Sequence, residues 1–104
     1  MNKERPKSQK EIDFIREPLY DAVHIYKSAD TIGGIGDNAA IVLKKRGFEK
    51  AFHLIGQYLV LDMDEQLFKK WLTDLLEEEN IKVQDKYLDS VYRSISEWCG
   101  AHWF

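Results

Sequence analysis

The chain has 104 residues, 44% of them hydrophobic and 32% charged, with a formal net charge of -3. That length provides one domain with a single core, and the composition is that of a folded protein, not a disordered one. No run approaches the roughly 20 apolar residues that a membrane span needs, the first residues lack a signal-peptide core, and the single Cys99 excludes an internal disulfide. Charge is unevenly spread. Residues 1–10 hold Lys3, Arg5, Lys7 and Lys10 against Glu4, whereas residues 61–79 hold Asp62, Asp64, Glu65, Asp74, Glu77, Glu78 and Glu79 against Lys69 and Lys70. A molecule polarised in this way presents a basic face to a polyanion despite its negative total.

Residues 1–7 are polar, contain Pro6, and read as a flexible basic arm ahead of one domain spanning 8–104. Ser8-Gln9-Lys10-Glu11 has the spacing of a capping box, with Ser8 as N-cap and Glu11 reaching back. The helix it opens is expected to run to about Arg16, with Ile12 and Ile15 inward and Phe14 at the flank. Pro18 stops it, because the residue before a proline avoids the helical region. Leu19 to Asp30 is the least readable stretch. Val23, Tyr26 and Lys27 would line a short helix there, yet the segment is neither strongly amphipathic nor clearly a loop.

Thr31-Ile32-Gly33-Gly34-Ile35-Gly36-Asp37-Asn38-Ala39-Ala40-Ile41-Val42-Leu43 reads as the turn and second arm of a helix-hairpin-helix. Gly34 and Gly36 flank Ile35, and glycine enters crowded or left-handed backbone at little cost. Ile35 would tuck between the two arms, Asp37 or Asn38 suits the first turn of the next helix, and Ile41 or Leu43 returns to the core. Backbone N–H groups at that helix N-terminus, including those of Asn38 and Ala39, form a surface that binds phosphate. The competing interpretation is an ordinary glycine-rich turn between two core helices.

The second arm is expected over 37–46. Lys44, Lys45 and Arg46 lie in its last turn, where they either complement the helix dipole or touch phosphate. Gly47 supplies a left-handed stop and Phe48 the hydrophobic contact that follows. Glu49 to Leu61 has helical spacing but is apolar around most of its circumference, and Gly56 in its interior costs about 1 kcal/mol relative to alanine. We read it as a dimerisation helix centred on Phe52, Ile55, Gly56 and Leu59. Asp62 to Glu65 offers a further cap for a helix to about Glu78, with Leu67, Phe68, Trp71, Leu72, Leu75 and Leu76 as its core stripe. Glu77, Glu78, Glu79 and Asn80 end it as a solvated loop. After Lys82 a last helix carries Leu88, Val91, Tyr92, Ile95, Trp98 and Cys99 on one face; Gly100 is expected to stop it, leaving the apolar tail Ala101 to Phe104. No strand alternation occurs, so the fold class is all-α, about five helices in one domain.

Little in the sequence supports catalysis. His24, His53 and His102 are far apart, with no cysteine or carboxylate at metal-ligand spacing, so no metal site or cofactor is expected. Cys99 on an apolar helix face reads as a buried, inert thiol. Walker loops, nucleophile elbows and paired carboxylates in an apolar setting are absent, and the expectation is a protein that is not an enzyme.

Ser8-Gln9-Lys10, Asp13-Phe14, Glu17-Pro18, Gly34-Ile35-Gly36, Arg46-Gly47-Phe48, Lys50-Ala51, Gly56-Gln57-Tyr58-Leu59-Val60-Leu61, Asp64-Glu65, Leu67-Phe68, Trp71-Leu72 and Glu97-Trp98-Cys99 together resemble the barrier-to-autointegration factor family. The resemblance implies a small all-α homodimer that binds double-stranded DNA without sequence preference and bridges duplexes. It implies LEM-domain proteins of the inner nuclear membrane and lamin as partners, no direct membrane insertion, and residence in the nucleus, at chromatin and nuclear envelope, and in the cytoplasm. Carried over by position, DNA contacts fall on Gln9, Lys10, the Gly34–Ala39 backbone and Lys86. The same comparison places a partner groove near Val60 and Trp71 and a regulatory phosphorylation at Ser8. Val42 stands where the family has a basic residue, Asp62 and Met63 replace a lysine pair, and the connections 19–33 and 77–84 are longer than usual. The family includes a diverged paralogue that binds DNA poorly and acts as a dimer partner, which provides the alternative function; a helical protein-interaction module with a vestigial hairpin is the third.

Overall fold

The computed structural model describes residues 6–20 and 26–103; expectations for Lys3, Arg5, Val23 and His24 lie outside them. Five α-helices follow one another: α1 Gln9–Arg16, α2 Asp37–Lys45, α3 Ala51–Val60, α4 Glu65–Glu78 and α5 Asp85–His102. Among the described residues between α1 and α2 stands one 3-10 turn, Ala29–Thr31, directly before the hairpin; Tyr26 and Lys27, expected to line a short helix, are not helical, and the part of that expectation on Val23 lies outside the described residues. Antiparallel bridges Tyr20–Tyr26 and Ser28–Lys50 occupy the flanks of this segment and use up the backbone groups that a helix would need.

The caps follow the sequence chemistry closely. Ser8 Oγ accepts from the Glu11 N–H at 3.2 Å, and Glu11 Oε1 accepts from the Ser8 N–H at 3.3 Å. Glu17, before Pro18, is extended at φ -103°, ψ 154°, and its carbonyl accepts from Trp98 Nε1 at 3.0 Å. Gly47 (φ 94°) and Asn80 (φ 63°) close α2 and α4 in left-handed conformations, with Phe48 and Ile81 N–H groups returning to Leu43 and Leu76 carbonyls. Asp64 caps α4 through the Leu67 N–H at 2.9 Å.

The core is formed by Phe14, Ile32, Ile35, Leu43, Leu54, Ile55, Tyr58, Phe68, Leu72, Leu76, Val91, Ile95 and Trp98, drawn from every helix and the hairpin turn. It redraws several expected faces. In α1, Phe14 and Glu11 are the buried residues, while Ile12 and Ile15 are only half-buried, because α1 lies lengthwise along α5. In α2, Leu43 and Val42 point inward and Ile41 is 66% exposed. Val42 therefore does not stand at the surface as a lost phosphate contact. Leu67 is also exposed, at the outer edge of α4. Gly100 does not stop α5. Its φ is not left-handed, and His102 holds the extra turn by stacking on Trp98 (4.5 Å) and contacting the Ile15 carbonyl at 2.9 Å.

The expected acidic loop after α4 is instead an ion-pairing edge. Lys45 meets Glu79 at 3.0 Å, and Arg46 meets Glu78 at 2.8 Å and Glu79 at 3.6 Å. Lys44 meets Glu49 at 3.5 Å. The basic end of α2 is thus engaged by carboxylates, although exposed pairs of this kind are each worth only about 0–1 kcal/mol.

Candidate nucleic-acid interface

The three glycines of the hairpin do different work. A Cβ on Gly33 would lie 2.5 Å from Glu11 Cγ and 2.8 Å from the hydroxyls of Ser90 and Ser94, so this glycine lets the turn press onto α1 and α5. Gly34, at φ 89°, backs onto the first turns of α5, where a Cβ would lie 2.4 Å from the Tyr87 carbonyl oxygen. Gly36 faces open space, with nothing within 4 Å of a built Cβ. It is the N-cap of α2 and supplies no capping side chain, so the Asp37, Asn38 and Ala39 amides head the helix unobstructed. Sequence reasoning singled out Gly34 and Gly36 and missed Gly33, whose role depends on Glu11, Ser90 and Ser94, side chains more than 20 residues away in the chain.

Lys10 is brought to this surface by α1. Its ammonium donates to the Ile35 carbonyl at 2.7 Å, which holds a positive charge beside the hairpin while Ile35's own side chain is buried. Lys86 is exposed on the first turn of α5, next to the Tyr87 against which Gly34 packs, with Nζ 5.1 Å from the Tyr87 ring centroid. Gln9 is also exposed, with its amide donating to Asp13 at 2.8 Å. The surface thus joins one open helix N-terminus to lysines from two other helices. Lys7, further out on the arm, pairs with Glu97 at 3.0 Å.

Glu11 connects Ser8 to the interior. It is fully buried, its Oε2 lies 3.7 Å from Arg93 Nη1, and its Oε1 lies 3.2 Å from Ser8 Oγ. A phosphate on Ser8 would add about -2 charge beside that buried carboxylate, so it would repel Glu11 and not simply strengthen the cap. We expect Ser8→Glu to weaken duplex binding, measured by fluorescence anisotropy, and to lower the melting temperature slightly. A cap of this type contributes about 0.5–2 kcal/mol. Restoration of affinity in Ser8→Glu combined with Glu11→Gln would locate the effect in this repulsion; unchanged affinity in Ser8→Glu alone would remove Ser8 as a switch.

The α3 helix divides its apolar residues between two faces. Ala51, Leu54, Ile55 and Tyr58 are buried in the protomer's own core, and Ile55 is only 2% exposed. This corrects the expectation that Ile55 belongs to a dimer contact, since a residue so covered has nothing left to offer a partner. The opposite face carries exposed Phe52 and Val60, half-buried Leu59, and Gly56, over which a built Cβ meets nothing within 4 Å. Tyr26 packs edge-on against Phe52 at 5.1 Å and Tyr20 against Tyr26 at 6.2 Å, extending this aromatic surface. His53 is accounted for locally: its Nδ1 accepts from the Lys50 N–H at 3.1 Å.

Val60 is 76% exposed, and Met63 and Leu67 continue an apolar patch around the α3–α4 turn. Asp62 and Met63 are both left-handed, at φ 61° and 58°. Trp71 is half-buried, wedged between Phe48 at 4.9 Å and Phe68 at 5.7 Å. Burial pushes the Cys99 thiol up to about 11, in keeping with an inert structural cysteine. Among the described residues no group of three His, Cys, Asp or Glu side chains is placed to hold a metal, and no helix is long and apolar enough to cross a membrane.

The glycine hairpin seated between α1 and α5, with its open helix N-terminus, defines an all-α protein of the helix-hairpin-helix, SAM-like class. The family profile described as barrier to autointegration factor matches residues 5–102. The chain is 39% identical to barrier-to-autointegration factor B of Xenopus laevis over 94 residues, covering 90% of this chain and 93% of that protein. It is 36% identical to barrier-to-autointegration factor of Homo sapiens over 94 residues (90% and 94%), and 35% identical to that of Drosophila melanogaster over 92 residues (88% and 91%). The chain belongs to the barrier-to-autointegration factor family.

Proposed function

We propose that this chain is a non-enzymatic, sequence-independent binder of double-stranded DNA that works as a homodimer and bridges two duplexes. The observation that carries the reading is the uncapped N-terminus of α2 at Gly36, open to solvent and adjoined by Lys10 and the Lys86 turn of α5, in a chain of this family. Backbone amides and lysines recognise phosphate oxygens and contribute no base readout. Gln9, Lys10, Lys86 and the amides of residues 34–39 form the contact surface; Phe52, Gly56 and Leu59 form the dimer contact, and Val60 with Trp71 the groove for a LEM-domain protein. Lamin is the second protein partner by family resemblance, and the sites of action are chromatin and the nuclear envelope, with a cytoplasmic pool.

A second reading has its own support: the cations of α2's last turn are paired with Glu49, Glu78 and Glu79, and the chain is acidic overall. That suits a diverged relative with weak DNA affinity that acts as a dimer partner or interaction module. A mobility shift across a salt series, using unrelated duplexes, separates the two. If each protomer contacts about four phosphates, log K falls with log[salt] at a slope of about -3 to -4, equally for every duplex. A flat salt response, or a strong preference for one duplex, rejects the DNA-binding reading.

A further inference from the structure

A groove of about 480 Å³ lies between α2 and the 3-10 turn, on the flank of the hairpin. It is of a size that binds small ligands or side chains, although open to solvent on one side. From α2 it takes Asp37, Ala40, Ile41 and Lys44, one stripe at helical spacing, and across from them stand Ser28, Ala29, Asp30 and Glu49. Its apolar part is Ala29, Ala40 and Ile41, and Ile41 is 66% exposed between neighbours that are half or wholly buried.

The charges around this apolar strip are asymmetric. Lys44 is the one lining cation, and it already meets Glu49 at 3.5 Å at one end. Asp37 stands at the opposite end of α2 from Lys44, and Asp30, next to the Ala29 whose N–H donates to the Glu49 carbonyl at 2.8 Å, accepts from the Ser28 hydroxyl; neither Asp30 nor Asp37 has an ion-pair partner among the described residues. An apolar strip with two carboxylates free to meet cations is complementary to a basic segment and repels an acidic one.

We propose that this groove docks a short basic segment of a partner protein, seating one aliphatic side chain on Ile41 and directing Lys or Arg side chains to Asp30 and Asp37. The site borders the proposed phosphate surface at Asp37, whose backbone N–H belongs to that surface and whose carboxylate lines the groove, and it holds whether or not the chain binds DNA.

The test is a titration of isotope-labelled full-length protein with the blocked peptide acetyl-Lys-Arg-Leu-Ala-Arg-Lys-amide, followed by NMR, with a second peptide carrying glutamate at every basic position. Saturable shifts confined to residues 28–30, 37–44 and 49 are expected for the basic peptide alone. Ile41→Ser should weaken it about tenfold, given the apolar area lost. Asp30→Asn combined with Asp37→Asn should also weaken it and flatten its salt dependence. All three positions are exposed, so the fold should persist, and the variants' own spectra check this. Shifts scattered over the acidic 62–79 segment, equal binding of the acidic peptide, or unchanged affinity in Ile41→Ser would overturn the proposal. So would a change in light-scattering mass with Ile41→Ser, which would make the groove a contact with a second copy.

Discussion

Gly36→Glu is expected to reduce duplex affinity about 100-fold or more while leaving the protein folded. Hydrogen bonds to charged groups are worth about 1.5–3 kcal/mol each, so losing two amide–phosphate bonds alone reaches that factor. The added carboxylate also stands where phosphate would bind. Folding should be spared because nothing lies within 4 Å of a side chain built at this position, its φ of -91° suits any residue, and an anion at a helix N-terminus is favourable. The equivalent change at Gly34 would be uninformative, since φ 89° and the Tyr87 carbonyl 2.4 Å from a Cβ would damage the fold. Anisotropy with a labelled duplex, beside a thermal melt, decides the matter. Near wild-type affinity in a well-folded Gly36→Glu protein would remove the hairpin from the DNA surface.

Gly56→Glu should abolish duplex bridging while keeping single-duplex binding. One hairpin holds one duplex, so cross-linking requires two protomers whose hairpins face apart. In the proposed dimer the Gly56 positions approach each other on the exposed face of α3, and two glutamates there would be desolvated without partners. The protomer itself has room for the side chain, and replacing a mid-helix glycine recovers part of the roughly 1 kcal/mol that glycine costs there. The variant should therefore be a folded monomer. Light scattering at micromolar concentration should give twice the chain mass of 12.2 kDa for the wild type and that mass itself for the variant. Capture of a fluorescent duplex on an immobilised one should occur only with the wild type. A wild-type mass near 12.2 kDa would discard the dimer and bridging together.

Local signals were legible in the sequence where one short segment decides its own conformation. The Ser8–Glu11 capping box, the Pro18 stop, the Gly47 and Asn80 terminations and the Asp64 cap each depend on a residue and its neighbours within one turn, and each appears in the structure. The hairpin at Gly34 and Gly36 was readable for the same reason, and the Ser8-to-Cys99 motifs carried the family. What failed were choices between faces. Ile12 against Phe14, Val42 as surface or core, and Ile55 as core or interface all depend on where a second helix lies, and periodicity alone assigns an apolar stripe only to within about one position.

By itself, then, the sequence determined an all-α chain, most of its helix limits, the glycine hairpin and the family. The tertiary structure decided which side chains share a surface. Packing of α1 along α5 sets Lys10 against the Ile35 carbonyl and buries Glu11 beside Arg93, and the end of α4 draws Lys45 and Arg46 into ion pairs. Those partners are 25, 82, 34 and 32 residues apart in the chain. Helix and cap preferences act within a turn or so, whereas contacts at such separations form only when the whole core closes, so no local pattern announces them.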